Sequence, residues 1–209
     1  MTFKYPVQLE FNNQQLEALL QHDKVNGYSI WIDDYELETA GFHQNWEISD
    51  QAYAAKRNKF GFKLTGTDYE IAELKITFSI PKKLLSKEGS SDIKLTISIE
   101  NRGYQLFAEL EIKELGIRSV GDDLENAFIQ LSQTLAQQKQ RIPSCFGCAL
   151  SGHERGGSSL FCMKESREQL LSISYQEGYQ QWFDGMQLES IVEFHECDAY
   201  EYIASRNKY

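Results

Sequence analysis

The sequence predicts an α+β fold: a largely antiparallel β-sheet covered by one main amphipathic helix, followed by a Cys-rich C-terminal segment. Three observations predict it. Apolar and polar residues alternate through most of the first two thirds of the chain. One later stretch repeats its apolar residues at helical spacing. After Pro143 the texture changes, and three of the four cysteines fall within residues 143–164. Period two marks half-buried strands, and period 3.6 marks a helix with one oily face.

The elements follow in order. "FKYPVQLEF" puts Phe3, Tyr5, Val7, Leu9 and Phe11 on one face of a strand. "QQLEALLQ", near residue 18, reads as a short second helix. "YSIWIDDYELETAGF" gives Tyr28, Ile30 and Ile32, then Tyr35 and Leu37, with Asp33-Asp34 as the turn between them. "KFGFKLTG" offers Phe60, Phe62 and Leu64. "IAELKITFSI" aligns Ala72, Leu74, Ile76, Phe78 and Ile80, and Pro81 is expected to end that strand because proline cannot donate to a ladder. "DIKLTISIEN" and "YQLFAELEI", joined through Asn101-Arg102-Gly103, read as a hairpin. One oily and one wet face suit an antiparallel sheet covered on one side.

The cover is "VGDDLENAFIQLSQTLAQQKQ", where Leu124, Phe128, Leu131 and Leu135 recur at helical spacing. Asp122 is the expected cap; Asp123 and Glu125 suit the positive end of the dipole and Lys139 the negative end. Residues 1–140 thus form a β-rich region ending in the covering helix. Residues 141–209 form the Cys-rich segment, expected to pack with it as one structural domain. That segment carries the aromatics Tyr179, Trp182 and Phe183 and closes on "QLESIVEFHECDAYEYI", which reads as a strand.

Composition narrows the function. The chain has 209 residues, 41% hydrophobic and 25% charged, enough for a core without disulfide staples. Its net charge is −10: residues 1–140 hold 15 Lys/Arg against 21 Asp/Glu, and residues 141–209 hold 6 against 10. A diffuse negative field repels phosphate backbones and anionic lipid, which argues against nucleic acid and membrane; it is compatible with a basic protein partner, and equally with a charge that serves solubility alone. The N-terminus has no signal-peptide pattern, and no apolar run approaches the ~18 residues of a bilayer span. A cytoplasmic setting is expected, where cysteines are reduced or metal-bound.

The cysteine spacing is Cys145-x2-Cys148-x13-Cys162, with Cys197 after 34 more residues. A Cys-x2-Cys turn presents two thiolates to one ion, and tetrahedral zinc needs two further ligands. Cys162 and Cys197 complete a four-thiolate structural site, and His153 or His195 can replace one of them. Three other readings stand beside zinc. The four residues can be reduced thiols packed as small hydrophobes. Cys145 and Cys148 can be a redox pair, although they follow a helix and a proline rather than a strand. A cysteine nucleophile with His153 or His195 as base also fits the residue types. "SGHERGGSS" lacks the Lys-Ser/Thr end of a phosphate-binding loop and reads as a mobile surface loop carrying His153, Glu154 and Arg155. The carboxylates Glu189, Glu193, Glu196, Asp198 and Glu201 read as a solvated face.

The combination "CFGCALSGHERGGSSLFCMK" and "VEFHECDAYE" resembles a family of uncharacterised bacterial proteins. Its pattern maps onto Cys145, Cys148, Ser151, Gly156-Gly157, Cys162 with Lys164, and Glu193 with Cys197. The family has an aromatic and an arginine directly after its third cysteine; Met163-Lys164 stand here, so no arginine role carries over. The resemblance covers about the last 70 residues and implies that the four cysteines act as one constellation.

Two classes of function follow. The first is a non-enzymatic acidic binding protein with a structural zinc, one version being an immunity protein that neutralises a basic toxin. The second uses the same segment chemically, as a zinc-dependent enzyme with an open coordination position and Glu154 or Glu193 as base, or as a thiol redox sensor at Cys145 and Cys148. Exposed strand edges favour dimers, but alternation does not locate them.

Overall fold

The computed structural model describes residues 3–22, 27–39, 42, 46–49, 58–65, 70–102, 105–144, 151–153, 160–162, 164–166 and 189–191. The chain divides into two compact units, Met1–Arg141 and Ile142–Tyr209.

In the first unit, strand β1 (Phe3–Phe11) meets β2 (Gln14–His22) through Asn12-Asn13, whose φ of 46° and 59° are both left-handed. Two positive φ values make the turn whose twist suits a two-residue hairpin, and asparagine tolerates them best among non-glycine residues. The register runs unbroken from Phe11↔Gln14 to Phe3↔His22. Residues 14–22 are therefore a strand and not the short helix expected from "QQLEALLQ". A nine-pair ladder outweighs the small helix preference of Gln, Leu and Ala.

Strands β3 (Tyr28–Ile32) and β4 (Tyr35–Thr39) pair across the Asp33-Asp34 turn, as the sequence predicts, and β5 (Glu47–Ile48) closes that edge. Tyr28, Ile30, Ile32, Tyr35 and Leu37 are all buried. Phe60, Phe62 and Leu64 form no strand; Leu64 makes one isolated bridge to Ile71. Phe62 is nonetheless buried, its ring 4.3 Å from that of Phe11.

Strand β6 runs Glu73–Ser86, straight through Pro81. The expectation that Pro81 ends it is wrong for a geometric reason. Leu85 exchanges both backbone bonds with Arg141, so its N–H points away from β7 (Gly89–Arg102). Amide direction alternates along a strand, so the nitrogen of Pro81, four residues earlier, faces that same outer edge. The last pair between β6 and β1 is Val7↔Phe78, three residues before Pro81. No ladder bond is lost there.

Strand β8 (Gln105–Ile112) pairs with β7 down to Arg102↔Gln105; the turn residues Gly103 and Tyr104 lie outside the described residues. A 3-10 turn at Lys113–Leu115 leads to β9 (Ile117–Gly121). The nine strands form one curled antiparallel sheet, ordered β5-β4-β3-β2-β1-β6-β7-β8-β9. Every neighbour in that order is also a neighbour in sequence except β1 and β6.

The helix α1 (Leu124–Gln137) buries Leu124, Ala127, Phe128, Leu131 and Leu135. Its cap is Asp123, one residue later than expected: the carboxylate accepts from the Asn126 N–H at 2.6 Å, while Asp122 takes the Asn126 side-chain amide at 2.7 Å. At the other end Lys139 adopts φ 58°, and the N–H groups of Lys139 and Gln140 donate to the carbonyls of Ala136 and Leu135. The helix lies on β8 and β9. Among the described residues no helix is long and apolar enough to cross a membrane.

In the second unit, β10 (Ser151–His153), β11 (Leu160–Cys162) and β12 (Glu189–Ile191) form a small antiparallel sheet. Ser151–His153, expected in a mobile loop, is a strand because it pairs fully with Leu160–Cys162. The aromatics Tyr179, Trp182 and Phe183, and the chain beyond Ile191, lie outside the described residues.

Candidate functional site

The sheet register brings opposite charges into rows on the wet face. Glu10, Lys75 and Glu100 sit opposite one another on β1, β6 and β7, and Glu73 sits opposite Arg102 in the next row of that face. Lys75 meets Glu100, and Glu73 meets Arg102, through the β6–β7 hairpin, whereas Glu10 and Lys75 are brought together only by the pairing of β1 with β6. The rows border a groove of about 780 Å³ at this end of the sheet, also lined by the buried Asn101. The Asn12-Asn13 turn forms its rim, held by a bond from Asn12 Nδ2 to the Gly61 carbonyl at 2.6 Å.

The charges pair within the groove. Lys75 Nζ lies 3.4 Å from Glu10. Arg102 grips both oxygens of Glu100 at 2.7 and 2.9 Å, and its guanidinium lies 5.3 Å from the Phe107 ring centre. Bonding to Glu100 raises the Arg102 pKa further, so it stays charged at any ordinary pH. Lys63 pairs with Glu73. Exposed pairs of this kind contribute little to stability, because solvent screens them. A polar or charged ligand could therefore exchange them at little cost. Beside it the wet face continues in hydroxyl pairs, Thr77 with Ser98 at 3.1 Å and Ser79 with Thr96 at 3.0 Å.

One carboxylate on this face is perturbed. Partial burial and the neighbouring charge of Glu38 raise the pKa of Glu36, against a bond from Ser29 that lowers it. A raised carboxyl pKa means that the folded state holds the proton more tightly than the unfolded chain. Its ionised form thus opposes folding as pH rises through the titration. Glu36→Gln is expected to raise the melting temperature slightly at pH 7, with the gain vanishing near pH 4. Thermal melts at both pH values check this, and an equal gain at both would refute the charge explanation.

The cysteine segment is reached only in part. Cys162 is 6% exposed on β11. The register places Ser151, Cys162 and Glu189 in one cross-strand row, and His153 opposite Leu160. Cys145, Cys148, Cys197, His195, Glu154, Arg155 and Glu193 lie outside the described residues. Among the described residues no three His, Cys, Asp or Glu side chains converge as a metal site. Sequence reasoning assigned nothing to His22, which is buried with its ring 4.2 Å from Tyr28. Its place in the Leu20-His22 alternation was the available signal.

The chain matches no family model, no curated protein and no solved structure.

Proposed function

We propose that this chain is a non-enzymatic, cytoplasmic, acidic binding protein whose C-terminal segment is organised around one structural zinc. The observation that carries the binding reading is the groove of paired, exchangeable charges, Glu10, Glu73 and Glu100 among them, on a chain of net charge −10. Complementary charge speeds encounter with a cationic surface and disfavours anionic competitors. The partner class is a basic protein, and neutralisation of a basic toxin is one form of it. Zinc is assigned to Cys145, Cys148, Cys162 and Cys197, with His153 or His195 as the possible replacement ligand. Burial of Cys162 supports this, and so does chain reach: only three residue steps, at most about 11 Å, separate Cys148 from the row that holds Cys162.

Two measurements test the reading. Elemental analysis of protein purified without chelator or metal resin is expected to give about one zinc per chain. Absence of metal with four titratable thiols would remove the zinc, and a water in the coordination shell would turn the reading toward catalysis. Partner capture is expected to yield a basic protein that the doubly reversed variant, Glu10→Lys with Glu100→Lys, no longer retains. An acidic partner, or equal retention by that variant, would sink the groove assignment.

A further inference from the structure

The large hydrophobic side chains most exposed among the described residues are Leu115, at 36%, and Val120, at 48%. Both sit at the same place, the β9 border of the nine-stranded sheet. Leu115 lies in the turn that enters β9, and Val120 is on the strand. Among the described residues β9 has one partner strand, β8. The opposite border, β5, is only two residues long. An edge strand offers unpaired backbone groups, and proteins usually blunt such edges with charge or by covering them. Here the edge carries Arg118 and an exposed valine.

We propose that this edge is the docking site for a second copy of the chain, β9 against β9 in antiparallel orientation about a two-fold axis at Val120. The sequence around β9 is self-complementary in that register. Val120 faces Val120 of the second copy, which buries the exposed apolar group. Arg118 faces Asp122 of the second copy, and the symmetry makes that pair twice. Arg118 is exposed and shares the wet face of β9 with Val120, while Asp122, also exposed, follows the end of the strand at Gly121 and has one carboxylate oxygen on the Asn126 side-chain amide. Arg118 already bonds Glu109 on its own chain, and a guanidinium has five donors, so it serves both carboxylates. A dyad at Arg118 would instead set two arginines against each other. The twofold leaves both α1 helices on the same side of the extended sheet, because an axis normal to a sheet does not exchange its faces.

Five-residue strands make a small contact, well below the ~1,200 Å² of standard stable interfaces, so the dimer is weak and concentration-dependent. Sedimentation velocity of the full chain from about 10 μM to about 1 mM is expected to show a reversible monomer–dimer equilibrium. Arg118→Asp and Asp122→Arg are each expected to weaken it by roughly tenfold or more, and the double variant to restore it. Val120→Glu is expected to abolish it. All these side chains are exposed, so the variants keep the wild-type circular dichroism spectrum. A monomer throughout that range would overturn the proposal, as would a dimer indifferent to Val120→Glu or a double variant no better than its parents.

Discussion

Gly121→Ala is expected to destabilise the protein by roughly 2–3 kcal/mol, far more than a single methyl group usually does. A Cβ at Gly121 would stand 2.7 Å from the Asp123 carbonyl oxygen and closer still to the Ala127 nitrogen. Both are backbone atoms at the start of α1, so no side chain can swing aside. The helix must lift from β9, and Leu124, Phe128 and Leu131 lift with it. For a chain of this size the loss corresponds to a drop in melting temperature of about 5–10 °C. Gly116→Ala is the control. Its φ of 63° disfavours alanine by about 1–2 kcal/mol, but its surroundings are open. Urea titrations of the two variants separate steric from conformational effects. A Gly121→Ala variant within 0.5 kcal/mol of wild type would mean that the helix does not approach β9 so closely.

On the proposed zinc site, Cys145→Ser is expected to lose the metal and several kcal/mol of stability, from a binding energy of about 10–16 kcal/mol for such sites. The pH dependence has a definite sign. Zinc takes thiolates, and an ordinary thiol has a pKa near 8.5, so protons compete with the metal throughout the acid side. Four thiolate ligands make the apparent affinity fall by up to roughly 10,000-fold per pH unit below that value. Zinc release monitored with a chromophoric chelator should therefore be negligible near pH 7.5 and abrupt on acidification. Release with the slope of one proton would rule out a four-thiolate site. Retention of metal by Cys145→Ser would remove that residue from the ligand set.

Much of the fold was legible because alternation reports burial directly. Leu74, Ile76, Phe78 and Ile80, and Ile93, Leu95, Ile97 and Ile99, are buried as their spacing predicts. So is the helical stripe of Leu124, Phe128, Leu131 and Leu135. Local propensity misled at "QQLEALLQ", where a tertiary ladder decided the conformation, and at Pro81, where the outcome depended on which way one nitrogen pointed. The cap moved by a single residue because Asp122 and Asp123 are chemically equivalent and only backbone direction distinguishes them. The groove was invisible for a different reason. Each of Glu10, Glu73, Lys75, Glu100 and Arg102 is an unremarkable wet-face residue in its own strand. Only the pairing register, that of the β6–β7 hairpin and of the long-range β1–β6 seam, sets them in rows of alternating charge. The cysteine pattern identified a segment, but Cys162 is the one thiol for which burial and register are described.

The order of strands carries a kinetic meaning. Each of β1 to β5 zips onto its sequence neighbour, and so does each of β6 to β9. These are two meanders that can form by local search, with short loops to close. The seam between them is the four-pair contact from Val7↔Phe78 to Glu10↔Lys75. Closing that contact, with all of β2 to β5 between its two strands, is where chain entropy weighs most on the folding rate. The seam is thus the natural place for the rate-limiting encounter. It is also the joint at which two separately produced fragments, cut between β5 and β6, would have to recognise each other.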